Sequence, residues 1–122
     1  MFKYKNPIFF LFLFFFLSIP LLSQIITIDS HIDIPFDYME NPEHDPGKIT
    51  DMQVDLYKMK KGGLDSGFFV VYVPQGPLDK AGFKKAKILA EKKFLAISKM
   101  TKTYSNKIGL ALAPEDIIQL KN

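Results

Sequence analysis

The chain has 122 residues, of which 24% are charged and 48% hydrophobic, enough for one small globular domain and too apolar for a disordered chain. All 16 basic residues are Lys, so the bidentate Arg clamp for phosphate or carboxylate is missing; without Lys3 and Lys5 of the N-terminal segment, 14 Lys face 13 acidic residues, a balance that argues against nucleic acid as a partner. Cysteine is absent, which excludes a disulfide framework, a thiolate zinc site, a cysteine nucleophile and a lipidated-cysteine anchor.

The first segment is MFKYKNPIFFLFLFFFLSIPLLSQ. Two lysines precede an apolar run from Ile8 to Leu22. An apolar stretch of about 15 residues behind a basic start is a signal-peptide pattern. A membrane-spanning helix wants about 20, and Pro20 shortens this one further. Ser23 suits the last leader position, while Leu21 is large for its place. Residues 1–23 are expected to be a signal peptide or membrane anchor, with cleavage favoured. The protein is expected to be exported: periplasmic, secreted or associated with the membrane through residues 1–23.

Residues 25–33 alternate. Ile26, Ile28, Ser30, Ile32 and Ile34 fall on one side; Ile25, Thr27, Asp29, His31 and Asp33 fall on the other. Side chains two apart in a strand share a face, so this is a strand with one aliphatic and one polar face. Pro35 stops regular pairing, and the prolines, Asn41 and Gly47 of residues 36–48 predict a loop. Thr50-Asp51-Met52-Gln53 fits a capping box that opens a helix, with Met52, Leu56 and Met59 at helical spacing and Gly62-Gly63 as its left-handed cap. Those glycines are not a phosphate loop, since no G-x-x-x-x-G-K accompanies them.

Residues 67–73, GFFVVYV, are continuously apolar, as in a strand covered on both sides. Residues 78–104 predict a long helix with Ala86, Ala90, Phe94, Ile97 and Met100 as its apolar stripe and eight lysines on a solvated face. Residues 107–111, KIGLA, predict a third strand, and Pro114 with Glu115 and Asp116 opens a last helix. The order β-α-β-α-β-α implies an α/β fold with a parallel sheet and crossover helices. Three such units leave open sheet edges, so residues 24–122 are expected to be the front part of something larger; a complete (β/α)8 barrel takes about 250 residues.

In a parallel α/β sheet both faces are covered, so the polar face of the first strand has a use. The isoleucine face suits helices, and Thr27, Asp29, His31 and Asp33 would line a barrel interior. His31 and Asp33 lie at the strand's C-terminal end, where barrel active sites are built. An imidazole nitrogen and a carboxylate oxygen on one face can reach one divalent ion, with further ligands from later strands. The same spacing also suits a hydrogen-bonded structural His–Asp pair. Asp29 can orient the ligand set or satisfy nearby backbone. His44, beside Glu40, Glu43 and Asp45, is expected at the surface, and Tyr72 in the core.

Asp29-Ser30-His31-Ile32-Asp33-Ile34-Pro35 resembles the opening motif of the membrane (renal) dipeptidase family, roughly D-G-H-x-D-x-P, with Ser30 in place of the common Gly. Val54-Asp55-Leu56, Lys61-Gly62-Gly63-Leu64 and Phe68 to Pro74 are similar to a second family segment, D-L-x-x-(L/M)-x-x-G-G followed by F-x-x-V-Y-V-P. The long helix, Ile108 to Ala111 and Pro114-Glu115-Asp116 continue in the same order, so the resemblance covers about residues 28–122.

It implies the N-terminal β-α-β-α-β-α portion of a TIM-type (β/α)8 metallohydrolase barrel that cleaves dipeptides with two zinc ions, some members also accepting D-residue dipeptides or β-lactams. By matching positions, His31 and Asp33 would bind one zinc. The bridging Glu, the further His ligands and the substrate-binding residues would lie beyond this chain, which is therefore expected to be inactive alone and to contain no catalytic residue. A homodimer is compatible with the sequence. The alternatives are a barrel amidohydrolase acting on another amide, and a non-catalytic truncated gene product.

Overall fold

The computed structural model describes residues 25–121. The expected leader, residues 1–23, lies outside the described residues. Strand β1 spans Ile28–Ile32 and β2 spans Ser66–Phe69; helix α1 spans Leu56–Gly62, α2 Lys80–Thr103 and α3 Pro114–Lys121, with a 3-10 turn at Pro42–His44. Among the described residues no helix is long and apolar enough to cross a membrane.

The two strands pair in parallel, as the alternation of strands and helices implied. Ile28 pairs with Ser66, Asp29 with Gly67 and Ile32 with Phe69, so three steps along β1 match two along β2. The extra residue makes a bulge just before the polar end of β1. Bulges re-aim side chains and are frequent beside active sites. Val70 N–H donates to Ile32 C=O at 3.0 Å and closes the ladder at that end.

Helix α1 begins later than expected. The capping box at Thr50 does not form; Asp55 is the N-cap, and its carboxylate accepts from Lys58 N–H at 2.8 Å. Thr50 instead donates to Asp55 through both its amide and its hydroxyl, each at 3.1 Å. Residues 51–54 therefore stay irregular. A carboxylate that gathers donors from both directions outcompetes a hydroxyl that can accept only locally. The far end forms as expected: Gly63 sits at φ 70°, its N–H reaches Lys60 C=O, and Leu64 N–H reaches Met59 C=O at 2.9 Å. These two bonds make a Schellman motif.

In α2 the buried residues are Lys93, Ala96 and Met100. Of the expected stripe, Met100 is buried, Ile97 packs on the core and Ala86 and Ala90 are half-buried, but Phe94 is 61% exposed and its neighbour Lys93 takes the inner face. The lysines also do more than face water. Lys92 pairs with Glu40 at 2.9 Å, and Lys99 donates to Met39 C=O at 2.9 Å. Both bind α2 to the segment after β1. That segment supplies the other half of the core, in which Ile34, Tyr38 and Met39 pack with Ala96 and Met100. The Tyr38 hydroxyl donates to Met100 Sδ at 3.1 Å, and burial pushes its phenol above the ordinary value.

The third strand expected at residues 107–111 does not form. Tyr104 C=O accepts from both Lys107 N–H and Ile108 N–H, at 2.8 and 3.0 Å, so the chain leaves α2 in a turn. A strand needs a neighbour to bond, and the sheet among the described residues has only β1 and β2. Ile108 instead packs against the edge of the core. The last helix forms at Pro114 as expected, and Asp116 holds its start by accepting from Leu112 N–H and Ala113 N–H. At its end, Lys121 Nζ bonds Ile25 C=O and the Asp65 carboxylate, both at 2.6 Å, and so binds α3 to the base of the sheet.

Candidate metal site at the end of the first strand

Alternation separates two roles at the end of β1 and just beyond it. Ile32 and Ile34 are 2% and 5% exposed and enter the core. His31 and Asp33, on the alternate positions, have side chains 66% and 72% exposed. His31 Nε2 stands 3.6 Å from Asp33 Oδ1. The alternation read from the sequence therefore holds at the C-terminal end of the strand, where the pair shares one open face.

Asp29 lies behind them. Its Oδ1 accepts from His31 N–H at 2.9 Å, within the bulge. The carboxylate thus fills the place that a ladder partner would take for His31 and holds the backbone that carries the imidazole. Thr27 does not join the group. Its amide donates to Asp65 at 2.9 Å and its hydroxyl donates to Gly63 C=O, so it fastens the opposite end of β1 to the turn before β2.

The donor set can be tested against zinc. Zinc holds N and O ligands at about 2.0–2.2 Å, so two ligands of one tetrahedral ion stand about 3.3–3.6 Å apart. The 3.6 Å between His31 and Asp33 falls at the edge of that range. The types fit as well, since imidazole and carboxylate are ordinary zinc ligands. Among the described residues no group of three or more His, Cys, Asp or Glu gathers to hold an ion.

On the inner face of α2, Lys93 lies between two aromatic rings. Lys93 is 3% exposed, and its Nζ lies 4.5 Å from the Phe36 ring centroid and 5.8 Å from that of Tyr72. Burial draws its ammonium below the ordinary range, and the charge of Asp33 acts in the opposite direction. Tyr72, expected in the core, is exposed and turns its ring to this lysine. Sequence reasoning missed Lys93 because a lysine within a run of lysines carries no sign of burial. Its spacing with Ala96 and Met100 was the available signal.

His44 is also placed differently from expectation. It is half-buried, and its Nδ1 meets Asp37 Oδ1 at 2.5 Å. Asn41 Nδ2 adds a bond to the same carboxylate at 3.1 Å. The bonds from Asn41 and His44 hold the Asp37 carboxyl below the usual carboxylate range. This cluster stabilises the loop after β1, where Met39 adopts φ 64°.

A comparison with curated proteins gives no match. Residues 18–122 match the family model described as membrane dipeptidase, peptidase family M19. That span holds β1 with its His31-x-Asp33 end, the Gly62-Gly63 cap, β2 and all three helices. The chain belongs to the membrane dipeptidase family, peptidase family M19.

Proposed function

We propose that this chain carries the first metal-binding strand of a zinc-dependent dipeptidase built on a (β/α)8 barrel. The observation that carries the proposal is the 3.6 Å approach of His31 and Asp33 at the C-terminal end of a parallel strand. That end is where barrel enzymes assemble their chemistry. Family membership at the level of a peptidase supports the same reading.

Each residue has a distinct task. His31 offers Nε2 and Asp33 offers a carboxylate oxygen to one ion. Asp29 orients His31 by holding its amide. Ile32 and Ile34 fix the strand by entering the core, so the donors stay in register. When bound, zinc supplies Lewis-acid activation of an amide and of water. The substrate is a dipeptide, and the second ion of a two-zinc centre takes ligands from other strands. Export through residues 1–23 belongs to the same proposal.

Zinc binding by the purified chain, measured by competition with a chromophoric chelator, tests the metal role. His31→Ala and Asp33→Ala should each weaken binding by about 10-fold or more, since even residues behind the ligands are worth that much. Ile32→Val should leave zinc affinity unchanged and cost about 0.5–1.5 kcal/mol of stability. A structural His–Asp pair gives a different pattern: destabilised variants with unchanged affinity per folded molecule. Unchanged affinity in both alanine variants overturns the proposal.

A further inference from the structure

A lysine in the first turn of a helix works against the helix dipole, whose positive end lies there. Lys58 is the third residue of α1, and its side chain folds back over the helix start. Its Nζ donates to Thr50 C=O at 2.7 Å and to Met52 C=O at 2.5 Å, and stands 3.6 Å from Asp55 Oδ2. Neither carbonyl accepts from a backbone N–H among the described residues, because residues 51–54 are neither helix nor strand. Thr50 and Asp55 are buried, and Met52 packs against the core, so these oxygens are fixed by what surrounds them. The ammonium is the group that all three share.

Two carbonyls and a carboxylate converging on one point are the donor set of a hard cation. Carbonyl oxygens replace the water of a potassium ion in the same manner. One carboxylate among two neutral oxygens matches a single positive charge. The Lys58 side chain is 39% exposed, so water reaches the outer side and would complete the shell of a free ion. We infer that Thr50 C=O, Met52 C=O and the Asp55 carboxylate form a monovalent-cation site that Lys58 fills from within the chain. Tethering gives the ammonium a high effective concentration, so free ions do not displace it. The native fold is therefore indifferent to the monovalent cation around it. Residues 50–55 become cation-dependent once the ammonium is removed. None of this involves His31 or Asp33.

The test is thermal unfolding of the full chain, native and Lys58→Ala, in chlorides of ammonium, potassium and tetramethylammonium at equal ionic strength. Tetramethylammonium carries the same charge but is too large for the site. The native Tm should be the same in all three salts. Lys58→Ala should have a lowered Tm in tetramethylammonium that ammonium or potassium raises, saturating with concentration as a bound ion requires. An ordinary loop-fastening role lowers the Tm of the variant equally in every salt, and that result overturns the inference. The same salt preference in native protein and variant places the ion elsewhere and also overturns it. Restoration by calcium but by neither monovalent ion overturns the assignment of charge. If Lys58→Ala shows no cooperative transition in any salt, the native ammonium protons decide by NMR. Those of Lys58 should exchange with water more slowly than those of the exposed Lys60; equal exchange overturns the inference.

Discussion

Asp55 shows how one side chain can outweigh a motif. Burial works against its charge, but the bonds from Lys58 N–H and from the Thr50 amide and hydroxyl, with the Lys58 ammonium, hold its carboxyl below the ordinary 3.8. A carboxyl whose pKa is lowered by folding contributes stability above its unfolded value and loses it as pH falls through the folded value. Asp55→Ala removes the helix cap and leaves Thr50 donors buried without a partner, a loss of about 2 kcal/mol at pH 7. The gap between native and variant should narrow in urea denaturation near pH 3 (about one unit under the ordinary value). A gap of equal size at both pH values would show that the charged carboxylate is not what caps α1. The same residue explains why a Thr-x-x-Gln pattern was legible and yet misleading: Thr50 bonds forward to Asp55 rather than to its own third neighbour.

At the scale of elements, the termination of α1 is the clearest case of sequence speaking for itself. Gly62 and Gly63 are adjacent, and a Cβ on either would meet nothing within 4 Å. They differ only in conformation, because Gly63 has φ 70° and Gly62 ends the helix. Gly63→Ala should therefore destabilise by about 1–2 kcal/mol, the cost of a side chain in the left-handed region. Gly62→Ala should stabilise by about 0.4–1 kcal/mol by reducing the freedom of the unfolded chain. Thermal denaturation of the two variants reads opposite shifts from neighbouring, chemically identical changes. Equal shifts would remove the Schellman cap as the explanation. The third strand is the contrary case: an apolar run such as KIGLA has strand-like composition, but strand formation depends on a partner edge that lies elsewhere in space.

On the scale of the whole molecule, two donors on one face set a limit on chemistry. Catalytic zinc sites use three protein ligands and keep a further position open. The purified chain with added zinc should therefore hydrolyse no dipeptide, as followed by release of free amino acid; turnover lost in His31→Ala would show that this face completes a site without other strands. The sequence by itself determined the parallel pairing of β1 and β2, the Gly63 cap that ends α1, the start of α3 and the face shared by His31 and Asp33. The pairing follows from strands alternating with a crossover helix, and the others from backbone geometry acting over a few residues or from the strand period of two. Tertiary structure alone decided that residues 107–111 turn instead of pairing, and that Lys93 rather than Phe94 faces inward. Local periodicity cannot choose between adjacent positions of a helix when both can cover apolar surface, a lysine with its stem and a phenylalanine with its ring. That choice was made by what stands opposite: the Phe36 and Tyr72 rings accept a cation.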